Sequence, residues 1–132
     1  MAEPPTFSEY CIYTIVHAGT LDEKAKKGGS TKFPEKRAWT TGEDLLRKAK
    51  AAGQEMFILF GDAAYGGELI YWGILVDIKL KDATTEYTVK ALKRLPKGHT
   101  PQELELRSTG KRIAPNFIRP YAICHTPKFL PA

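Results

Sequence analysis

Two cysteines and three histidines in 132 residues leave little material for a metal centre or a disulfide framework. Cys11 and Cys124 stand almost a chain length apart, and neither a Cys-x-x-Cys nor a His-x-x-x-His spacing occurs, so the strong zinc signatures are excluded. One mixed set, Cys11, His17, Cys124 and His125, converges only if the first and last strands pair. Otherwise the cysteines read as buried thiols in a reducing compartment. Phosphate-cradling loops are missing too: neither G-x-G-x-x-G nor a P-loop is present, which speaks against a nucleotide cofactor. Ser8, Ser30 and Ser108 lie in no nucleophile elbow. Long apolar runs are lacking, since Met56 to Phe60 falls far below the roughly 20 residues of a membrane-spanning helix. The first residues carry Glu3 and Pro4-Pro5 where a secretory leader has basic residues and an apolar stretch. These absences together lead us to expect a cytoplasmic protein with no membrane attachment, no metal and no cofactor.

What is present fits one globular domain spanning residues 1–132, with 42% hydrophobic and 27% charged residues. A chain of this size buries roughly 65 to 70% of its unfolded surface, enough for a core without covalent staples. The net charge of +5 is unevenly spread. Lys24 to Lys50 holds nine Lys and Arg against three acids, and Tyr87 to the end holds nine against two. Basic stretches separated in sequence can meet in space and form a polyanion site, or they can remain a solvated surface.

Tyr10 to Val16 is β-branched and aromatic and reads as the first strand. Ala18 to Thr31 turns to Gly, Lys, Asp and Ser, with Gly28-Gly29 at its end, and reads as a long surface loop. Thr41 to Gly53 has a helix pattern: a hydroxyl cap, Glu43 and Asp44 in the first turn, and a closing glycine. Met56–Phe60 and Leu69–Leu80 form a hairpin around a Gly66-Gly67 turn. In its second strand, Ile70, Trp72, Ile74, Val76 and Ile78 share the face that alternation assigns to the core. Glu86 to Leu95 is a further strand. Thr100 to Arg107 has a cap and an early proline and reads as a short helix, with a strand as the alternative. Ile113 to His125, interrupted by prolines, suits a sheet edge. The order predicts an α+β domain: a small curled, mostly antiparallel β-barrel, open and compact, with one main helix.

The chemistry-bearing residues cluster at the start of that helix. Trp39 follows Lys36-Arg37 and precedes Thr40-Thr41. Two readings stand side by side: Trp39 packs the helix on the sheet, or its plane stacks on a base. In the second reading Thr40, Thr41 and the free helix N–H groups bond to base edges or phosphate, and Lys36 and Arg37 hold the backbone. Tyr65 and Tyr71 are candidates for a second aromatic wall, whereas Trp72 falls on the apolar face.

In order and spacing, the strand Tyr10 to Val16, the loop to Arg37, Trp39-Thr40-Thr41, the helix from Glu43, Phe60-Gly61-Asp62 and Trp72-Gly73-Ile74-Leu75-Val76 resemble the PUA-like superfamily, and within it the EVE and YTH-like domains. The resemblance covers roughly the first 80 residues. It implies a nucleic-acid-binding module, for DNA or RNA that is single-stranded or presents a flipped base, with an aromatic cage for a modified, methylated base. A separately encoded nuclease or motor is the class of partner beside which such a module would work. Trp39 would be the first cage wall and Tyr65, Tyr71 or Tyr87 the second, because no tryptophan follows Gly73. Lys111, Arg112 and Arg119 would join the phosphate contacts. The rival is an ASCH-type hydrolase or nuclease acting on RNA or modified nucleosides, for which Thr31, Lys32, Glu35, Lys36, Thr41 and Glu68 supply the residue types without the family's Gly-x-Lys order. A third reading is a protein-interaction domain whose basic face meets an acidic partner.

Overall fold

The computed structural model describes residues 6–62, 68–96, 99–113 and 121–130. Its elements run β1 (Thr6–Phe7), β2 (Tyr10–Val16), α1 (Ala18–Lys27), β3 (Thr31–Glu35), α2 (Thr40–Ala51), β4 (Gln54–Asp62), β5 (Leu69–Lys81), β6 (Thr84–Arg94), a 3-10 turn (Pro101–Glu103) and β7 (Tyr121–His125). The strands form one seven-stranded sheet in the order β3-β6-β5-β4-β2-β7, with β1 beside the start of β4. β2 and β1 run parallel to β4, and the other pairings are antiparallel. The fold is therefore α+β with a mostly antiparallel sheet, as expected, but among the described residues β3 and β7 are its two ends and it does not close into a barrel.

Two cores explain the sequence pattern. β4 is buried from Met56 to Asp62 because it lies mid-sheet with both faces covered. Met56, Ile58 and Phe60 join Ile12, Leu46 and Trp39 on the helix side, while Phe57 and Leu59 join Cys11, Tyr13, Trp72, Leu104 and Cys124 on the other. A continuous apolar run is what a strand buried on both faces requires. Among the described residues no helix is long and apolar enough to cross a membrane.

Three expectations need correction. Residues Ala18–Lys27 form a helix, not a loop, so the described residues hold two α-helices. Its apolar stripe is narrow, with Leu21 alone fully buried and Ala25 packed beside it. Asp22 anchors it to the sheet, accepting a 2.5 Å bond from the Tyr71 hydroxyl and pairing with Arg94 at 3.3 Å. Gly28 and Gly29, at φ +67° and +63°, end the helix rather than mark a flexible loop. In β5, register shifts between Trp72 and Ile74 and between Leu75 and Asp77 break the alternation. Trp72 and Ile74 face one core and Tyr71 and Leu75 the other, and beyond the shift at Leu75/Asp77 Ile78 joins Tyr71 and Leu75 rather than Trp72. Finally, Thr100 to Arg107 holds only the 3-10 turn Pro101–Glu103, followed by chain that bridges to β7 through Leu106 and Cys124.

Candidate functional site

Between β3 and α2 the chain is pinned from inside. Thr85, buried at the start of β6, accepts the Trp39 backbone N–H at 2.9 Å and donates its hydroxyl to the Arg37 carbonyl at 2.7 Å. The Glu35 carboxylate accepts the Arg37 N–H at 3.3 Å, tightening the turn. These bonds commit the Trp39 ring to the core and leave Lys36 and Arg37 exposed.

The Trp39 ring is 0% exposed and lies between Tyr87, with centroids 4.4 Å apart and planes 19° apart, and Tyr121, at 4.9 Å and 22°. Tyr87 stacks in turn on Phe33, and Phe33 on Phe60, each at 5.1 Å. Five aromatic rings thus form one column through the helix-side core. Its outer end is Tyr121, which is half-buried. Burial first, and the nearby Glu35 carboxylate second, raise the Tyr121 hydroxyl above its ordinary value against a hydrogen bond from the Gly42 N–H, so it is protonated at neutral pH.

Tyr121 opens onto a cleft of about 870 Å3. One wall is Lys36, Arg37, Ala38 and Thr41; the other is the turn Leu106 to Thr109; Ala83, Tyr121, Ala122 and Ile123 complete it. The turn is held by the Leu106 N–H on the Lys111 carbonyl, the Gly110 N–H on the Leu106 carbonyl, and the Arg107 N–H on the Ile123 carbonyl, at 2.8, 2.8 and 2.9 Å. Gly110, at φ +69°, takes the left-handed position this reversal needs. Among the described residues, the cleft's lining includes Lys36, Arg37 and Arg107 and no carboxylate. Concave walls bearing one sign of charge concentrate potential, so an anion is the natural occupant. Stacking on Tyr121, apolar contact with Ala38, Leu106 and Ile123, and hydrogen bonding by Thr41 and Ser108 are all available to a flat heterocycle.

Several sequence-predicted residues take other places. Trp39 is a core residue, and Tyr121, not Trp39, lines the cleft; among the described residues the indole N–H has no hydrogen-bond partner. Tyr71 is 5% exposed and bonded to Asp22, and Tyr87 is 1% exposed with its hydroxyl raised by burial and by Glu35, so neither is a second wall. Lys36, Arg37 and Thr41 line the cleft, while Thr40 is exposed at the start of α2 and does not. Lys111 and Arg112 stand on the turn's far limb, Arg112 opposite Glu105, and do not line the cleft either. Tyr65 and Arg119 lie outside the described residues. Sequence reasoning missed Arg107 and Tyr121, which reach the cleft only through the pairing of β7 with β2 and of the turn with β7.

Of the residues considered for a hydrolase, Lys36 and Thr41 alone line the cleft. Lys32 pairs with Glu86 at 3.9 Å, and Glu35 is bonded to the Arg37 backbone. β2 and β7 do pair, with Cys11 opposite Cys124 and Tyr10 opposite His125, but His17 lies beyond the other end of β2. Both thiols are buried, and among the described residues no three His, Cys, Asp or Glu side chains group to hold a metal ion. No family model, curated protein or solved structure matches this chain.

Proposed function

We propose that this chain is a nucleic-acid-binding module of PUA-like, EVE or YTH-like type that receives an unpaired base in the cleft and does no chemistry on it. The carrying observation is the cleft itself, whose described lining has three cations, no carboxylate, and a tyrosine whose inner face is backed by Trp39. The base stacks on Tyr121, whose ring is fixed by the column behind it. Preorganisation of this kind lowers the ordering cost of binding. Arg37, Lys36 and Arg107 neutralise flanking phosphates, and the Thr41 hydroxyl is placed for a base edge. Added methyl groups on the base gain contact with Ala38, Leu106 and Ile123, which favours a methylated base over its parent. Cytoplasmic nucleic acid, DNA or RNA, is the partner class.

Fluorescence anisotropy tests the reading, with short single-stranded DNA and RNA carrying adenine or cytosine in plain and methylated form. Binding that is weakened in Tyr121→Ala and in Arg37→Ala supports it, and tighter binding of the methylated strands supports the modified-base part. Failure of every strand to bind at low salt overturns it.

A further inference from the structure

A second hollow, of about 350 Å3, lies against α2 and includes Phe7, Tyr10, Leu45, Lys48 and Gln54 in its lining. It connects to the cleft through one side chain. Arg107 lines the cleft, and its guanidinium carbon sits 5.1 Å from the centroid of the Tyr10 ring.

The strand register fixes how the two tyrosines relate. In the antiparallel pairing of β2 with β7, Thr14 is opposite Tyr121 and Tyr10 is opposite His125. Tyr10 and Thr14 are four residues apart, so Tyr10 and Tyr121 project from the same sheet face, about 13 Å apart along the strands at ~3.3 Å per residue. α2 supplies a matching stripe: Thr41 lines the cleft, and Leu45 and Lys48 line the hollow. Residues spaced by four and three lie on one side of a helix. The cleft and the hollow therefore lie on the same side of α2 along the β2–β7 end of the sheet, with Tyr121 in one lining and Tyr10 in the other, and Arg107 lines the cleft while standing over the Tyr10 ring.

Charge distinguishes the cleft from the hollow. Among the described residues the cleft has three cations and no acid, whereas the hollow has Lys48 and Glu9, and Lys48 is already paired with Asp44 at 3.0 Å. The hollow therefore has little attraction for a phosphate. An aromatic ring beside aliphatic Leu45 and amide Gln54 suits the uncharged face and edge of a base.

Resting on the nucleic-acid reading of the cleft, we propose that the hollow at Tyr10 is a second base subsite. The cleft and the hollow together then take a segment of single-stranded nucleic acid, with Tyr121 and Tyr10 stacking two bases separated along the strand and Arg107 holding the phosphates between them.

The test uses fluorescein-labelled thymidylate as a dinucleotide and as a strand of about eight nucleotides, a length within the range of single-strand binding modules. The longer strand is expected to bind more tightly. Tyr10→Ala is expected to weaken the longer strand about tenfold and to leave the dinucleotide unchanged. Tyr10→Phe, which keeps the stacking face, should bind both as the wild type does. Photocrosslinking of the wild-type protein with a 5-iodouracil strand needs no variant; adducts on Tyr10 as well as Tyr121 are expected. If Tyr10→Ala changes neither affinity, or adducts form on Tyr121 alone, the second subsite is overturned and the cleft reading survives. If no strand binds at low salt, the cleft reading fails, and the second subsite with it.

Discussion

Trp39 and Tyr121 stack with ring centroids 4.9 Å apart, yet one is wholly buried and the other borders a basic cleft. The ring that lines the cleft is thus the outermost ring of the core. Its position is set by Trp39, and that of Trp39 by Tyr87 and by the hydrogen bond from its backbone N–H to Thr85.

Substitutions at the two ring positions should separate stability from binding. Trp39→Ala empties a fully buried site and is expected to cost about 3 to 5 kcal/mol. Tyr121→Ala removes a half-buried ring, should cost less, and should weaken single-strand binding by about tenfold at the level of one stacked base. Urea denaturation beside anisotropy on the same samples reads both quantities.

Gly73 is a packing requirement. A Cβ there would lie 2.4 Å from Val89 Cγ1 and 3.3 Å from the Lys90 carbonyl oxygen. Gly73→Ala is expected to destabilise by about 1 to 3 kcal/mol through overpacking. Combined with Val89→Ala it should cost less than the two single changes added together, since the clashing methyl is gone. A thermal-denaturation double-mutant cycle measures the coupling; strict additivity contradicts the proposed contact.

Salt should weaken binding in proportion to the phosphates neutralised. With Lys36, Arg37 and Arg107 engaged, the logarithm of the binding constant is expected to fall with the logarithm of salt at a slope of about −2, at roughly −0.7 per contact for a single strand. Arg107→Ala should reduce the slope by about 0.7. Titrations at several salt concentrations give both slopes, and an unchanged slope in the variant removes Arg107 from the contacts.

Alkaline pH should unfold the domain through its buried acids. Burial, foremost, raises the Cys124 thiol from 9.0 to about 12 and the Tyr13 hydroxyl from 10.0 to about 12, and it raises Cys11 as well. Above about pH 9 the unfolded chain releases these protons while the folded chain retains them, so the folded state binds more protons and stability falls as pH rises. The loss should begin near pH 9 and continue to about pH 12. Urea midpoints measured across that window test the sign, and a Cys11→Ala/Cys124→Ala double variant should show a shallower decline.

Local signals in the chain carried much of this fold. The start and stop of α2, and the β4–β5 hairpin with its apolar first strand, are written in caps, glycines and runs of apolar residues. α1 escaped notice because its stripe toward the core is little more than Leu21 and Ala25, and its Gly and Lys content looks like loop. The side taken by Ile78 in β5 escaped because the register shift around Val76 follows from pairing with β6 and has no signature in residue alternation. The joint Lys36 to Thr41 was legible as a place where cations meet a helix start. Which way Trp39 points was not, because Tyr87, Tyr121 and Thr85 decide it from distant parts of the sequence. Arg107 and Tyr121 have nothing local to mark them; they become site residues only when β7 pairs with β2 and the turn at Ser108 docks on β7.

The most direct test of the central claim is a two-dimensional amide NMR titration of the isotopically labelled protein with a short single strand of RNA or DNA at low salt. Shifts concentrated in Lys36 to Thr41, Arg107 to Thr109 and Tyr121 to Ile123 are the expected result. A spectrum that does not change, or shifts centred on the opposite core around Trp72 and Leu104, would contradict the assignment of this cleft as the nucleic-acid site.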